Sequence, residues 1–215
     1  MKHKILITAV CVMFFSVELL FAQNPVQDKL KNTTYTIQDT TQAVAYFNKA
    51  IELSNAAQYD SSNALFEKAR VIYKEMSDQF DINTIWIKNL QCFNRIGNNF
   101  RKQGKYRLAL NNLKQGLEGL EKFEGDHNVI AMSFNIIGAV HLQNGNYNWA
   151  IENLQKSLSI RLRLFGEEHS QVAGSYHNIG ALYRDKGDYE RALEYNEKSL
   201  LINLQLRGEE RSLGC

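Results

Sequence analysis

Apolar positions in the repeated segments of this chain recur at three, four and seven residues. Tyr176, Ile179, Gly180 and Tyr183 share one face, and Tyr189, Ala192, Leu193 and Leu200 share the next, which is helical periodicity rather than strand alternation. The same spacing occurs twice upstream. Phe93 to Gly104, Phe134 to Gly145 and Tyr176 to Gly187 each place an aromatic residue, then Ile-Gly, then a second Gly seven positions further. Tyr106/Ala109, Tyr147/Ala150 and Tyr189/Ala192 follow in register. Gly97, Gly138 and Gly180 recur at steps of 41 and 42 residues, a period that marks a stack of units instead of a single globular domain. Each copy therefore predicts two helices, broken at Gly104-Lys105, Gly145-Asn146 and Gly187-Asp188, where a left-handed glycine ends the first helix and lets the second fold back.

Glycine inside a helix costs about 0.5–1 kcal/mol against alanine, so three copies of it need a compensating reason. Close approach of the paired helices supplies one: Gly97 and Ala109, Gly138 and Ala150, and Gly180 and Ala192 are expected to face each other. One such pair cannot bury its apolar face alone, so pairs must stack. The fold class that follows is all-α, an α-solenoid of stacked antiparallel helix pairs.

These residues resemble the tetratricopeptide repeat, in which a large residue, Leu/Ile-Gly, Tyr and then Gly-x-Tyr-x-x-Ala follow at these distances. The 42-residue step and the opening Gly166-Glu167-Glu168-His169-Ser170-Gln171-Val172-Ala173 are most similar to the kinesin-light-chain type, with Gly125-Asp126-His127-Asn128-Val129-Ile130-Ala131 a weaker copy. Ser170 and Asn128 stand where that type has proline, and each is able to cap a helix. The resemblance implies a right-handed superhelix. A degenerate first unit fits residues 43–76, with Ala50, Ala57, Tyr59, Ser62 and Ala69 at the small and aromatic positions. Further units occupy 84–124, 127–166 and 169–206, and 207–215 reads as the truncated start of another, since Gly208-Glu209-Glu210 repeats Gly166-Glu167-Glu168.

Ahead of the array, Lys2 and Lys4 precede an apolar run from Ile5 to Ala22. This predicts a secretory signal peptide over 1–22, cut after Ala22, and an exported, periplasmic or secreted chain. The alternative is an uncleaved membrane anchor over 5–22, against which the embedded Glu18 counts. Residues 23–42, polar and holding Pro25, read as a flexible lead.

Composition changes this picture little. A formal charge of +2 sets up no strong field, so no nucleic-acid partner is expected, and a membrane is met only through the N-terminal segment if it stays uncleaved. Cys92 and Cys215 beyond the signal make no disulfide framework; Cys92 reads as a small buried apolar residue. Gly97 to Gly104-Lys105 imitates a phosphate loop, but its glycines are too far apart and Tyr106 stands where Ser or Thr should follow the lysine. His127, His141, His169 and His177 show no metal-ligand spacing. No catalytic residue, cofactor or metal is expected, and the chain reads as a non-enzyme.

What a helical stack of this kind offers is a groove lined by first helices. Counting from each repeat glycine, Asn94, Asn98, Arg101 and Lys102, then Asn135, Ala139, Leu142 and Gln143, then His177, Ala181, Arg184 and Asp185 should face it. The resemblance implies that asparagines at the first of these positions hold the backbone of an extended peptide. Asn94 and Asn135 match, whereas the last unit has His177 there and Asn178 one residue later. A carboxamide donates and accepts at once, so a row of them reads backbone regardless of sequence; Arg101, Lys102 and Arg184 would favour an acidic or C-terminal carboxylate. The expected function is a scaffold binding a protein or peptide in this groove. The alternative is the regulatory front of a larger exported protein carrying a CHAT-type protease or a signalling kinase. The leucines of the last helix also suggest a homo-oligomer formed through an uncapped end.

Overall fold

The structure, a computed structural model, describes residues 37–80, 83–118 and 127–213, and these contain helices and no strand. The expected signal segment 1–22 and the lead up to residue 36 lie outside the described residues. Residues 37–42, expected in the lead, instead open the first helix; they hold neither Gly nor Pro, and Ala43 directly after them is fully buried. The helices are α1 (Ile37–Asn55), α2 (Tyr59–Phe80), α3 (Asn83–Lys102), α4 (Tyr106–Leu117), α5 (Asn128–Gln143), α6 (Tyr147–Phe165), α7 (Ser170–Asp185) and α8 (Tyr189–Leu213). Apart from residues 37–40 of α1, they belong to one compact unit, Thr41–Cys215.

The core is shared between neighbouring pairs, as the apolar periodicity requires. Ala43, Ala69 and Tyr73 of the first pair enclose Cys92 of α3, and Ala50 and Phe66 enclose Ile96. Ala109 and Leu113 of α4 pack on Ile136, Ile137 and Val140 of α5. Ala150 and Leu154 of α6 meet Ile179, Leu182 and Tyr183 of α7 and Ala192 of α8. Each cluster thus draws on consecutive pairs, and an all-α solenoid results.

The turns within pairs are built alike. Gly104, Gly145 and Gly187 have φ of +72°, +75° and +84°. The following N–H in each reaches back to close the helix, as in Lys105 N–H to the Phe100 carbonyl at 2.9 Å and Asn146 N–H to that of His141 at 2.8 Å. The first pair makes the same turn with alanine: Ala57 has φ +57°, and Gln58 N–H donates to the Leu53 carbonyl at 2.9 Å. There an exposed alanine sits in the left-handed region, at a steric cost of about 1–2 kcal/mol.

The helix glycines do make room between paired helices, chiefly for the side chain four residues after each alanine; at Gly138 the Ala150 carbonyl oxygen, 3.2 Å from a Cβ there, comes close as well. A Cβ on Gly97 would lie 2.7 Å from Leu113 Cγ, one on Gly138 2.8 Å from Leu154 Cγ, and one on Gly180 2.7 Å from Asn196 Oδ1. The contact falls one turn beyond the alanine because the paired helices are offset along their axes. Gly116 does the same in α4, where a Cβ would lie 2.7 Å from Phe93 Cβ.

Two features of the helix starts depart from expectation. Ser170 and Asn128 are the first residues of α7 and α5, not their caps; they occupy the first helical position, which is where proline is tolerated. The α7 cap is His169, whose Nδ1 accepts from Gln171 N–H at 3.1 Å. At the other end, α8 runs straight through Gly208 to Leu213, whereas α6 stops at Phe165 with Gly166 at φ +76°. The expected unit opening at 207–215 is therefore helix as far as Leu213.

Candidate functional site

Three first helices, α3, α5 and α7, and Leu154 of α6 enclose a cavity of ≈ 240 Å³. Its polar lining is Asn98, Arg101, Asn135 and Asn178; its apolar lining is Ile136, Ala139, Leu142, Leu154 and Ala181. Asn178 Nδ2 donates to Asn135 Oδ1 at 2.7 Å, and Arg101 Nε donates to Asn98 Oδ1 at 3.0 Å. Burial holds the Arg101 guanidinium below its ordinary value, the nearby Tyr106 working against this, and among the described residues no carboxylate is paired with it. A half-buried cation that keeps its charge and lacks an anion is an acceptor site for one.

Asn94 stands apart from the groove residues expected of it. It is 1% exposed, its Nδ2 donates to the Val129 carbonyl at 2.9 Å, and its Oδ1 accepts from Ser133 Oγ at 2.7 Å. Both partners are at the start of α5, so the amide fastens one repeat to the next. One unit later the same task falls to Arg161, which is buried and donates to the Gln171 carbonyl at 3.2 Å and Ser175 Oγ at 2.8 Å. Val129 and Gln171, like Ser133 and Ser175, are 42 residues apart. The equivalent of those serines in the repeat before is Cys92, fully buried among Ala43, Ala69 and Tyr73; burial, then the charge of Glu67, pushes its thiol up to about 12.

Other expected groove residues also lie outside the cavity lining. Lys102 is exposed with Nζ 5.7 Å from the centre of the Tyr59 ring. Arg184 is exposed and donates from Nε and from its NH2 nitrogen to its neighbour Asp185 at 3.0 and 2.9 Å. Gln143 and His177 are exposed and contribute nothing to the cavity. The amide row that does line it, Asn98, Asn135 and Asn178, sits one after, three before and two before the respective repeat glycines. Equal repeat positions do not meet there, since Asn94 is buried between repeats and His177 is exposed. Ile136 and Leu154 of the lining were missed; Ile136 shares its repeat position with Asn178, which was the available signal.

Among the described residues no three His, Cys, Asp or Glu side chains gather as a metal group, and no helix is long and apolar enough to cross a membrane.

Profiles of the tetratricopeptide repeat match residues 128–203 and 35–56. Solved repeat proteins share the fold. A kinesin light chain of Podospora anserina with nearly identical tetratricopeptide-like repeats superposes with TM-score 0.59 at 16% identity, over 81% of this chain and 80% of that one. The chain carries tetratricopeptide repeats. BtubC (BKLC) of P. vanneervenii aligns with TM-score 0.65 at 18% identity, over 83% of this chain and 69% of that one. The Rap conjugation gene regulator of plasmid pLS20, solved in complex with the Phr* peptide, aligns with TM-score 0.66 at 19% identity, over 83% of this chain and 46% of that one. These identities establish the repeat fold alone. No curated protein matches the repeat sequence in a direct comparison.

Proposed function

We propose that this repeat protein is an interaction scaffold that holds an extended peptide across α3, α5 and α7, with Asn98, Asn135 and Asn178 reading its backbone and Arg101 receiving a carboxylate. The observation that carries this is the cavity itself: three amides and one guanidinium without an anion, set over an apolar lining of Ile136, Ala139, Leu142, Leu154 and Ala181. At ≈ 240 Å³ it lies below the usual range for small-molecule sites, about 300–1,000 Å³, and suits one or two residues of a longer ligand. The peptide held by the Rap regulator supports a fold of this kind as a peptide carrier.

The test uses fluorescein-labelled random octapeptides, carboxylate-ended against amidated and acidic against neutral. Arg101→Gln should weaken binding of carboxylate-bearing peptides about tenfold or more, the range of a charge-assisted hydrogen bond, and leave neutral amidated peptides unchanged. Asn135→Ala should weaken all of them. Equal loss for every peptide class with Arg101→Gln, at unchanged helicity, would refute the carboxylate role.

The same reading places the scaffold outside the cytoplasm through residues 1–22. Its basic start and apolar run support export, and N-terminal sequencing of protein from the envelope fraction should begin at Gln23. An intact Met1 on soluble protein would overturn it.

A further inference from the structure

The cavity between α3, α5 and α7 is not evenly polar. Two hydrogen bonds within its lining already occupy some of its atoms: Asn178 Nδ2 donates to Asn135 Oδ1 at 2.7 Å, and Arg101 Nε donates to Asn98 Oδ1 at 3.0 Å. What those bonds leave to a ligand differs from helix to helix. On α3 it is the carboxamide nitrogen of Asn98 and the two terminal nitrogens of Arg101, and on α5 the carboxamide nitrogen of Asn135, all of them donors. On α7 it is Asn178 Oδ1, an acceptor that takes no hydrogen bond from a described residue. No Asp or Glu lines the cavity, and Arg101 is its one charged residue among those described.

This order of groups complements a single residue at the end of a polypeptide. Followed back from its terminus, such a residue presents a carboxylate, which only accepts, then a side chain, then a backbone N–H. The carboxylate meets the donors of α3 and α5, with Asn98 holding Nε so that the terminal nitrogens of Arg101 are left for it. The N–H meets Asn178 Oδ1. Between them the side chain faces Ile136, Ala139, Leu142, Leu154 and Ala181, and ≈ 240 Å³ suits one aliphatic residue of the size of Val, Leu or Ile. The opposite end of a polypeptide does not match, because its ammonium would stand beside a guanidinium with no carboxylate in the lining. Nor does a chain that continues past this residue, since its next N–H would meet the donors of α3.

Within the peptide-scaffold reading above, on which this rests, we propose that the cavity binds the C-terminal residue of a partner polypeptide. That residue is aliphatic, the bound chain runs from α7 towards α3, and its terminal carboxylate is held by Arg101, Asn98 and Asn135. Specificity then resides in the end of the partner and in the bulk of its last side chain.

Fluorescein-labelled octapeptides of Gly and Ser, varied at the last residue, test this with the full chain by fluorescence anisotropy. A peptide ending in Leu with a free carboxylate should bind about tenfold or more tighter than one ending in Gly, and about tenfold or more tighter than its own amide. Ala181→Leu fills the apolar lining from α7 and Ala139→Leu fills it from α5; each should remove the preference for Leu, with helicity by circular dichroism as in the parent. Replacing the last amide of the Leu peptide by an ester deletes the N–H. This should weaken binding to the parent severalfold and leave binding to Asn178→Ala unchanged. An equal ester effect in both proteins overturns the assigned direction and the proposal with it. So does an amidated peptide with an internal Asp that binds as tightly as the Leu-ended acid, which would put a side-chain carboxylate on Arg101 and leave the scaffold reading standing. Absence of binding by every peptide overturns both.

Discussion

Replacing Asn94 by Ala separates a residue that builds the stack from one that meets a ligand. The amide is almost wholly buried and makes two hydrogen bonds, at 2.9 Å to the Val129 carbonyl and 2.7 Å from Ser133 Oγ. Each such bond contributes about 1 kcal/mol net. Truncation does not orphan the serine, because Ser133 Oγ also donates to the Val129 carbonyl at 3.1 Å, so no full desolvation penalty is added. The space left by the amide costs something further, bringing the loss to about 2–3 kcal/mol. At about 2–4 °C per kcal/mol for a chain of this size, the melting temperature should fall by about 5–10 °C. Thermal unfolding followed by circular dichroism measures this, and a double-mutant cycle with Ser133→Ala should show coupling of about 0.5 kcal/mol or more. Asn135→Ala, which loses one half-buried bond to Asn178, should lower the melting temperature by only about 2 °C. Below its transition Asn94→Ala should bind octapeptides as the parent does. An unchanged melting temperature together with lost binding would refute the assignment, placing the amide on the ligand and not inside the stack.

Ala57→Gly should raise the melting temperature by about 1–3 °C, because relief of left-handed strain of about 1–2 kcal/mol outweighs the added unfolded-state freedom; a fall would mean that the methyl group packs. In calorimetry Gly138→Ala should destabilise by about 1–3 kcal/mol, with its Cβ 2.8 Å from Leu154 Cγ and 3.2 Å from the Ala150 carbonyl oxygen. Gly174→Ala, where nothing lies within 4 Å, should stabilise α7 by about 0.5–1 kcal/mol. Cys92, pushed up to about 12 from an ordinary 9.0 by burial and then by Glu67, stays protonated in the fold. It should resist Ellman's reagent at pH 8 until denaturant is added. Its folded pKa is raised, so its contribution to stability is complete below pH 9 and is lost as pH rises towards 12. Rapid native labelling at pH 8 would contradict that burial.

Much of the architecture was legible in the residues because it is set within one helix pair. Helical spacing, the turn glycines at 104, 145 and 187 and the small residue at each repeat centre all act over neighbours a few positions apart, and sequence records such neighbours directly. Even the degenerate first pair announced its turn, with Ala57 seven residues after Ala50 as Gly104 is after Gly97. By itself, then, the sequence determined the element type, the repeat period and the places where the chain reverses. The tertiary structure alone decided which amide of each repeat reaches the cavity: Asn98 rather than Asn94 in α3, Asn178 rather than His177 in α7. It also decided that Gly97 yields to Leu113 and not to Ala109, and that Leu193, Leu200, Leu201 and Leu204 of α8 are exposed among the described residues while Leu206 packs beside Val172 and Ala173. These outcomes depend on the crossing angle and axial offset between helices distant along the chain. A shift of one residue, about 100° around a helix, moves a side chain from an inter-repeat hydrogen bond to an open face, and no local pattern reports that rotation.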